Sequence, residues 1–85
     1  MVSRRFGEVL FKVYPQDHEP RHVHGFVGSA EIIVDLLADG TVALADRVDA
    51  IRPPNARRRD IWRVLNEAAE NFDELALAWE QMHAR

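Results

Sequence analysis

Asp17-His18-Glu19-Pro20-Arg21-His22-Val23-His24 places three of the chain's four histidines within seven residues. His22 and His24 stand two apart, so in an extended segment both rings leave the same face, with Cα atoms about 6.6–6.8 Å apart. Two such rings can converge on one ion at about 2.0–2.1 Å per Zn–N bond. His18 lies beyond Pro20, where a turn can fold it back toward the pair. The metal reading therefore takes His18, His22 and His24 as ligands of a divalent ion such as zinc. The carboxylates of Asp17 or Glu19 are further donors able to complete three ligands and leave one position open.

The same residues support metal-free chemistry. Cleaving a phosphodiester requires one proton removed, one delivered and a developing charge stabilised. His18, His22, His24 and Arg21 supply those types in one place, with Tyr14 as a further hydrogen-bond donor, which suits a hydrolase or endoribonuclease. Glu31 and Asp35 are candidates for a separate base. A third reading is purely structural: Asp17 accepts backbone N–H bonds in the turn, Pro20 restricts the unfolded chain, and the histidines pair with carboxylates or carbonyls of neighbouring strands. Nucleophilic serine or cysteine chemistry is unsupported, because the chain has no cysteine and neither Ser3 nor Ser29 sits in a recognisable elbow. His83, in the last turn of the C-terminal helical region, suits the negative end of the helix dipole when charged.

The elements that must hold this segment can be read on either side of it. Glu8 to Tyr14 alternates, with Val9, Phe11 and Val13 on one face, and Pro15 ends the run. His22 to Val27 resumes an extended pattern up to Gly28-Ser29. Ala30 to Leu37 carries the β-branched residues of the strongest strand. Asp39-Gly40 is a tight-turn signal whose two residues both tolerate positive φ, and Thr41 to Ala45 returns as a fourth strand. After Pro53-Pro54, Asn55 is a candidate N-cap. Ile61, Leu65, Ala68 and Phe72 then recur at helical steps, with Trp62 and Val64 widening the stripe. At Asn71-Phe72-Asp73 the helix is expected to break, with Asn71 in a left-handed C′ position and Asp73 capping a second helix that presents Leu75, Ala76, Trp79 and Met82, a single bent helix being the alternative. The expected fold is α+β: one domain over residues 1–85, with a three- to four-stranded antiparallel meander (about 7–45) and two C-terminal helices (about 55–84) packed on one face. Trp62, Phe72 and Trp79 are expected to close the layers.

Composition narrows the field further. The 85 residues carry a net charge of −3, and 47% are apolar, a normal globular share. No apolar run reaches a membrane span, and Arg4-Arg5 is not followed by a signal-peptide core, so the expected location is cytoplasmic. Without cysteine, a metal must rely on imidazole, carboxylate and water. Arg57, Arg58, Arg59 and Arg63 concentrate positive charge at the start of the helical region, a candidate anion or nucleic-acid surface. No helix-turn-helix spacing accompanies them.

The order Tyr14, Asp17-His18, Pro20, His22, His24, Ala30-Glu31, Asn71, Glu74-Leu75 and Ala78-Trp79 resembles a group of small bacterial proteins catalogued as domain of unknown function 4160. Its members carry a D-H-x-P-P-H-x-H turn and a C-terminal helix with tryptophan near its end. Arg21 stands where that pattern has its second proline. The resemblance implies a cytoplasmic bacterial protein that works with a small partner protein or by self-association, in a toxin–antitoxin-like pair.

Overall fold

A computed structural model describes residues 1–83. Six strands precede two helices: β1 (Val2–Phe6), β2 (Val9–Val13), β3 (His22–Val27), β4 (Ala30–Leu36), β5 (Val42–Leu44), β6 (Ile51–Arg52), α1 (Arg58–Glu70) and α2 (Phe72–His83). The strands form one antiparallel sheet in the order β1-β2-β3-β4-β5, with β6 also on β4. The α+β meander followed by two helices is thus present, with two strands more than expected.

Both additional strands depend on partners remote in sequence. In β1, Arg4 shares a face with Val2 and Phe6 and breaks the apolar alternation. Its guanidinium reaches Gln81 (3.3 Å) and Glu74 (3.8 Å) on α2, so an arginine is accommodated where the pattern calls for an apolar residue. β5 and β6 are two pieces of one edge strand. Ile33 accepts from the Ala45 N–H at 3.0 Å and donates to the Ala50 carbonyl at 2.8 Å, so residues 46–49 loop out from the edge between them. Ala45 and Ala50 then close a small second core over Ile33.

The principal core lies between the sheet and the helices. Val9, Phe11 and Val13 of β2, Val23 and Val27 of β3, and Ile32, Val34 and Leu36 of β4 face Val64, Ala68, Leu75, Ala78 and Trp79. The period-two burial of β2 and the helical spacing of Val64 and Ala68 produce this seam. Trp79 is buried as expected, and Phe72 is partly buried against the core. Trp62 is not part of the closure: it is 57% exposed. It stands two residues from Val64, a rotation of about 200° around the helix, which turns it away from the sheet.

Local capping also differs from expectation. The N-cap of α1 is Arg57, with no side-chain cap, rather than Asn55. Asn71 separates the helices with φ −116°, not in the left-handed region. Its carbonyl accepts from the Leu75 N–H at 3.0 Å, so Asn71 rather than Asp73 opens α2. The β4–β5 turn spans Ala38-Asp39-Gly40, and only Gly40 has positive φ (89°). Asp39 instead accepts from the Thr41 N–H (3.0 Å) and hydroxyl (2.6 Å).

Gly25 is the point where sheet and helix come closest. A β-carbon there would collide with Val64 and crowd the Phe11 ring at 3.1 Å. Gly25→Ala is therefore expected to cost about 1–3 kcal/mol by overpacking. A thermal melt should show this as a fall of at least about 5 °C.

Candidate metal centre

Pro15 ends β2, and the chain turns at once: the Asp17 N–H donates to the Tyr14 carbonyl (3.1 Å), and the Tyr14 N–H donates to Asp17 Oδ2 (3.0 Å). This turn points the other carboxylate oxygen of Asp17 at β3. There, His22 and His24 leave the same face, the one opposite the helices, because Val23 and Gly25 occupy the helix-facing side. The turn is anchored from a third direction by His83, whose Nε2 lies 3.0 Å from the Asp17 carbonyl and Nδ1 3.0 Å from the Trp79 carbonyl, so a ring N–H can donate to a backbone carbonyl on either side.

Asp17, His22 and His24 form a group whose donor atoms all lie within 4.8 Å of one another, a set that could hold a metal ion. Asp17 Oδ1 lies 3.2 Å from His24 Nε2 and 3.5 Å from His22 Nε2. The far nitrogen of each ring is held separately: His24 Nδ1 by Glu31 Oε2 at 3.0 Å, and His22 Nδ1 by the Pro20 carbonyl at 2.9 Å. A carbonyl or carboxylate can only accept, so both Nδ1 atoms donate. In the neutral rings this leaves two Nε2 lone pairs facing one anionic oxygen, whereas a protonated His24 donates to it from Nε2. His22 and His24 are buried (5% and 8% exposed), and His22 Nε2 is itself buried without a hydrogen-bond partner. Such an orphan is costly unless a proton, a water or a metal ion satisfies it.

The neighbouring aromatics fix the rings sterically. Tyr14 packs edge-on to His24 with ring centroids 4.9 Å apart, and His22 lies 5.4 Å from Trp79, which stacks on His83 at 3.8 Å. Burial, together with the charges of Glu31 and Asp17, pushes the Tyr14 phenol above its ordinary value, so it remains a donor. Burial also pushes the Asp17 carboxyl up, but the Tyr14 N–H and the facing imidazoles of His24 and His22 outweigh it and hold Asp17 below the usual carboxylate value. A depressed folded-state pKa contributes stability that is present above the unfolded value and lost as pH falls through the folded one. Acid melts should accordingly show the protein losing stability below about pH 4, and Asp17→Asn losing less over the same range.

The other site residues expected from the sequence lie elsewhere. His18 is exposed and stands outside the ligand group, on the rim shared by two surface hollows. The third donor beside the pair is Asp17, because the turn closes at Asp17 and leaves the next side chain outside. Arg21 is not beside the histidines. Its guanidinium donates to the Leu37 carbonyl at 3.3 Å and lies over the Phe72 ring, on the helix side. Of Arg57, Arg58, Arg59 and Arg63, the last pairs with Glu8 (3.3 Å) and Arg59 approaches Asp60 (3.8 Å). None of the four adjoins the histidines, and Glu67 and Glu70 share their surface hollow with Arg59 and Arg63. Glu31 and Asp35, both flagged from sequence, have separate placements: Glu31 orients His24, while Asp35 pairs in register with His22. Asp35 also lines a cleft of about 340 Å³ with Asp17, Glu19, Asp46 and Arg47.

No family model, curated protein or solved structure matches this chain. Among the described residues, no helix is long and apolar enough to cross a membrane.

Proposed function

We propose that this chain is a zinc-binding domain with a three-ligand, catalytic-type centre made by Asp17, His22 and His24, and that it belongs to the metal-dependent hydrolases. The observation that carries the reading is the pair of Nε2 atoms converging on one carboxylate oxygen, with both Nδ1 protons already committed elsewhere. Either protons or a metal ion would relieve that arrangement, and the distances favour the metal. Charge-assisted N–H···O bonds run about 2.7–2.9 Å, shorter than the 3.2 and 3.5 Å found. Two ligands of a tetrahedral ion with bonds of about 2.0–2.1 Å lie about 3.3–3.4 Å apart, close to the 3.2 and 3.5 Å between Asp17 Oδ1 and the two Nε2 atoms, and the three donor atoms all lie within 4.8 Å of one another. The second contacts of the rings, a carboxylate and a backbone carbonyl, are those that fix metal-ligating histidines elsewhere.

Three protein ligands leave a tetrahedral ion one position for water or substrate, and a bound zinc lowers the pKa of such a water toward neutrality. In this reading the chain's own residues have distinct tasks. Asp17, His22 and His24 hold the ion, while Glu31 and the Pro20 carbonyl fix the rings. Asp35 and Glu19, on the adjoining cleft, are carboxylates able to accept a proton.

The test is elemental analysis after equilibration with zinc and removal of the excess. The parent should retain about one zinc per chain, and His22→Ala, His24→Ala and Asp17→Ala should each retain far less, while His18→Ala retains the parental amount. Equal retention by the parent and the His24→Ala variant would sink the proposal.

A further inference from the structure

The sheet surface opposite the helices carries a second pattern. Cross-strand register places Arg5, Leu10, Phe26, Glu31 and Arg52 in one row, and Ser3, Lys12, His24 and Ile33 in the next. Ile33 is covered by Ala45 and Ala50, but Leu10 and Phe26 are only half-buried and join neither core cluster. Three cations share these two rows with Phe26, Lys12 beside the ring and Arg5 and Arg52 each two strands away. Lys12 Nζ lies 5.2 Å from the ring centroid, Arg5 is exposed across the strands, and Arg52 is exposed at the far end of the row. Arg52 is partly engaged by Asp49 (3.4 Å) and Glu31 (4.0 Å), whereas Arg5 and Lys12 form no ion pair among the described residues. Glu31, the one acid in these two rows, is already turned to His24.

We infer that this face binds single-stranded nucleic acid, with Phe26 as a stacking platform for a base and Arg5 and Lys12 as contacts to successive phosphates. An aromatic ring flanked by unpaired cations on an open sheet is the combination that recognises single strands: every base has a π-face, and the backbone repeats its charge. The net charge of −3 does not oppose this. Asp73, Glu74 and Glu80 lie on α2, and although the acidic cleft beside Asp35 adjoins the His24 row on this same face, local rather than total charge governs contacts at Arg5, Lys12 and Phe26. The arginine cluster at the start of α1 is the weaker surface, because Glu8, Asp60, Glu67 and Glu70 are interleaved with it. The inference goes beyond the metal centre and does not depend on it, although Lys12 stands opposite His24 in register and would bring a bound strand to the edge of that site.

Fluorescence anisotropy with a labelled oligouridylate of about a dozen nucleotides, in the presence of EDTA, tests it directly. Binding should weaken linearly with the logarithm of salt concentration, by about 0.7 per phosphate contact. Arg5→Ala and Lys12→Ala should each reduce that slope by about one contact, and Phe26→Ala should weaken binding about fivefold or more at an unchanged slope. Phe26→Leu, which keeps apolar bulk without the ring, should also weaken it and guards against a loss caused by unfolding. Arg59→Ala and Arg63→Ala should leave it unchanged. The inference fails if no binding is seen at low salt, if the salt response is flat, or if the Arg59 and Arg63 variants lose binding while Lys12→Ala keeps it. Preferential competition by polyglutamate would also overturn it, marking the face as a site for an acidic polypeptide. Because EDTA is present, none of these outcomes bears on zinc retention, so the two readings stand or fall separately.

Discussion

Trp79→Ala should be among the most destabilising single substitutions in the molecule, costing about 3–5 kcal/mol. For a domain of this size that corresponds to a fall in melting temperature of more than about 10 °C. Trp79 is 2% exposed at the seam between α2 and the sheet, so its removal leaves a cavity that the surrounding strands can fill only in part. The loss should reach the candidate metal centre as well. The indole packs against His22 and stacks on His83, and His83 contacts the Asp17 carbonyl, so one side chain supports two of the three candidate ligands. Zinc affinity should therefore fall in Trp79→Ala and recover largely in Trp79→Phe, which retains a ring. Denaturant melts and zinc titrations of the two variants check both statements, and an unchanged melting temperature in the alanine variant would contradict the two-layer packing.

The second large effect is expected from zinc itself. A ligand that binds only the folded chain adds about 2.7 kcal/mol of stability at one hundred times its dissociation constant. That is equivalent to a rise of about 10–20 °C in melting temperature for a domain of this length. The gain should be large here because the ion would tie the Tyr14–Asp17 turn to β3, two segments otherwise joined at this point by long imidazole–carboxylate contacts. Calorimetry of one preparation with zinc and with EDTA measures the difference. His24→Ala should abolish it, and Asp17→Asn, which keeps an oxygen but removes its charge, should lose most of it. A melting temperature indifferent to zinc in the parent protein would separate the histidine cluster from any metal.

Much of the fold was legible along the chain, for local reasons. Val9, Phe11 and Val13 alternate with Leu10 and Lys12, and the burial of β2 follows that two-residue period. The β-branched run of β4 and the break at Asn71 were equally plain, because strand preference and helix termination depend on nearby residues. β1 was hidden by Arg4, whose acceptability rests on Glu74 and Gln81 some seventy residues away. Only the second piece of the interrupted edge strand, β6, was hidden, because Ile33 bonds both ends of an outlooping segment that has no strand-like pattern of its own. Trp62 was misplaced for another reason: apolar character alone does not tell which side of a widened stripe faces the sheet.

The sequence by itself determined that His22 and His24 share one face, since the two-residue period of a strand is a property of the backbone. It also determined that any metal must be held by imidazole and carboxylate, because the chain has no thiol. Which third donor joins the pair was decided only in three dimensions. The turn closed by Tyr14 and Asp17 aims the aspartate at β3 and leaves His18 in solvent, while Arg21, one residue from His22, takes the opposite face. The direction in which each ring presents its lone pair was likewise settled by Glu31 and the Pro20 carbonyl. Spacing fixes which side chains can meet, but the orientation of a donor atom is set by the group bonded to the other side of the ring, and that group comes from the fold.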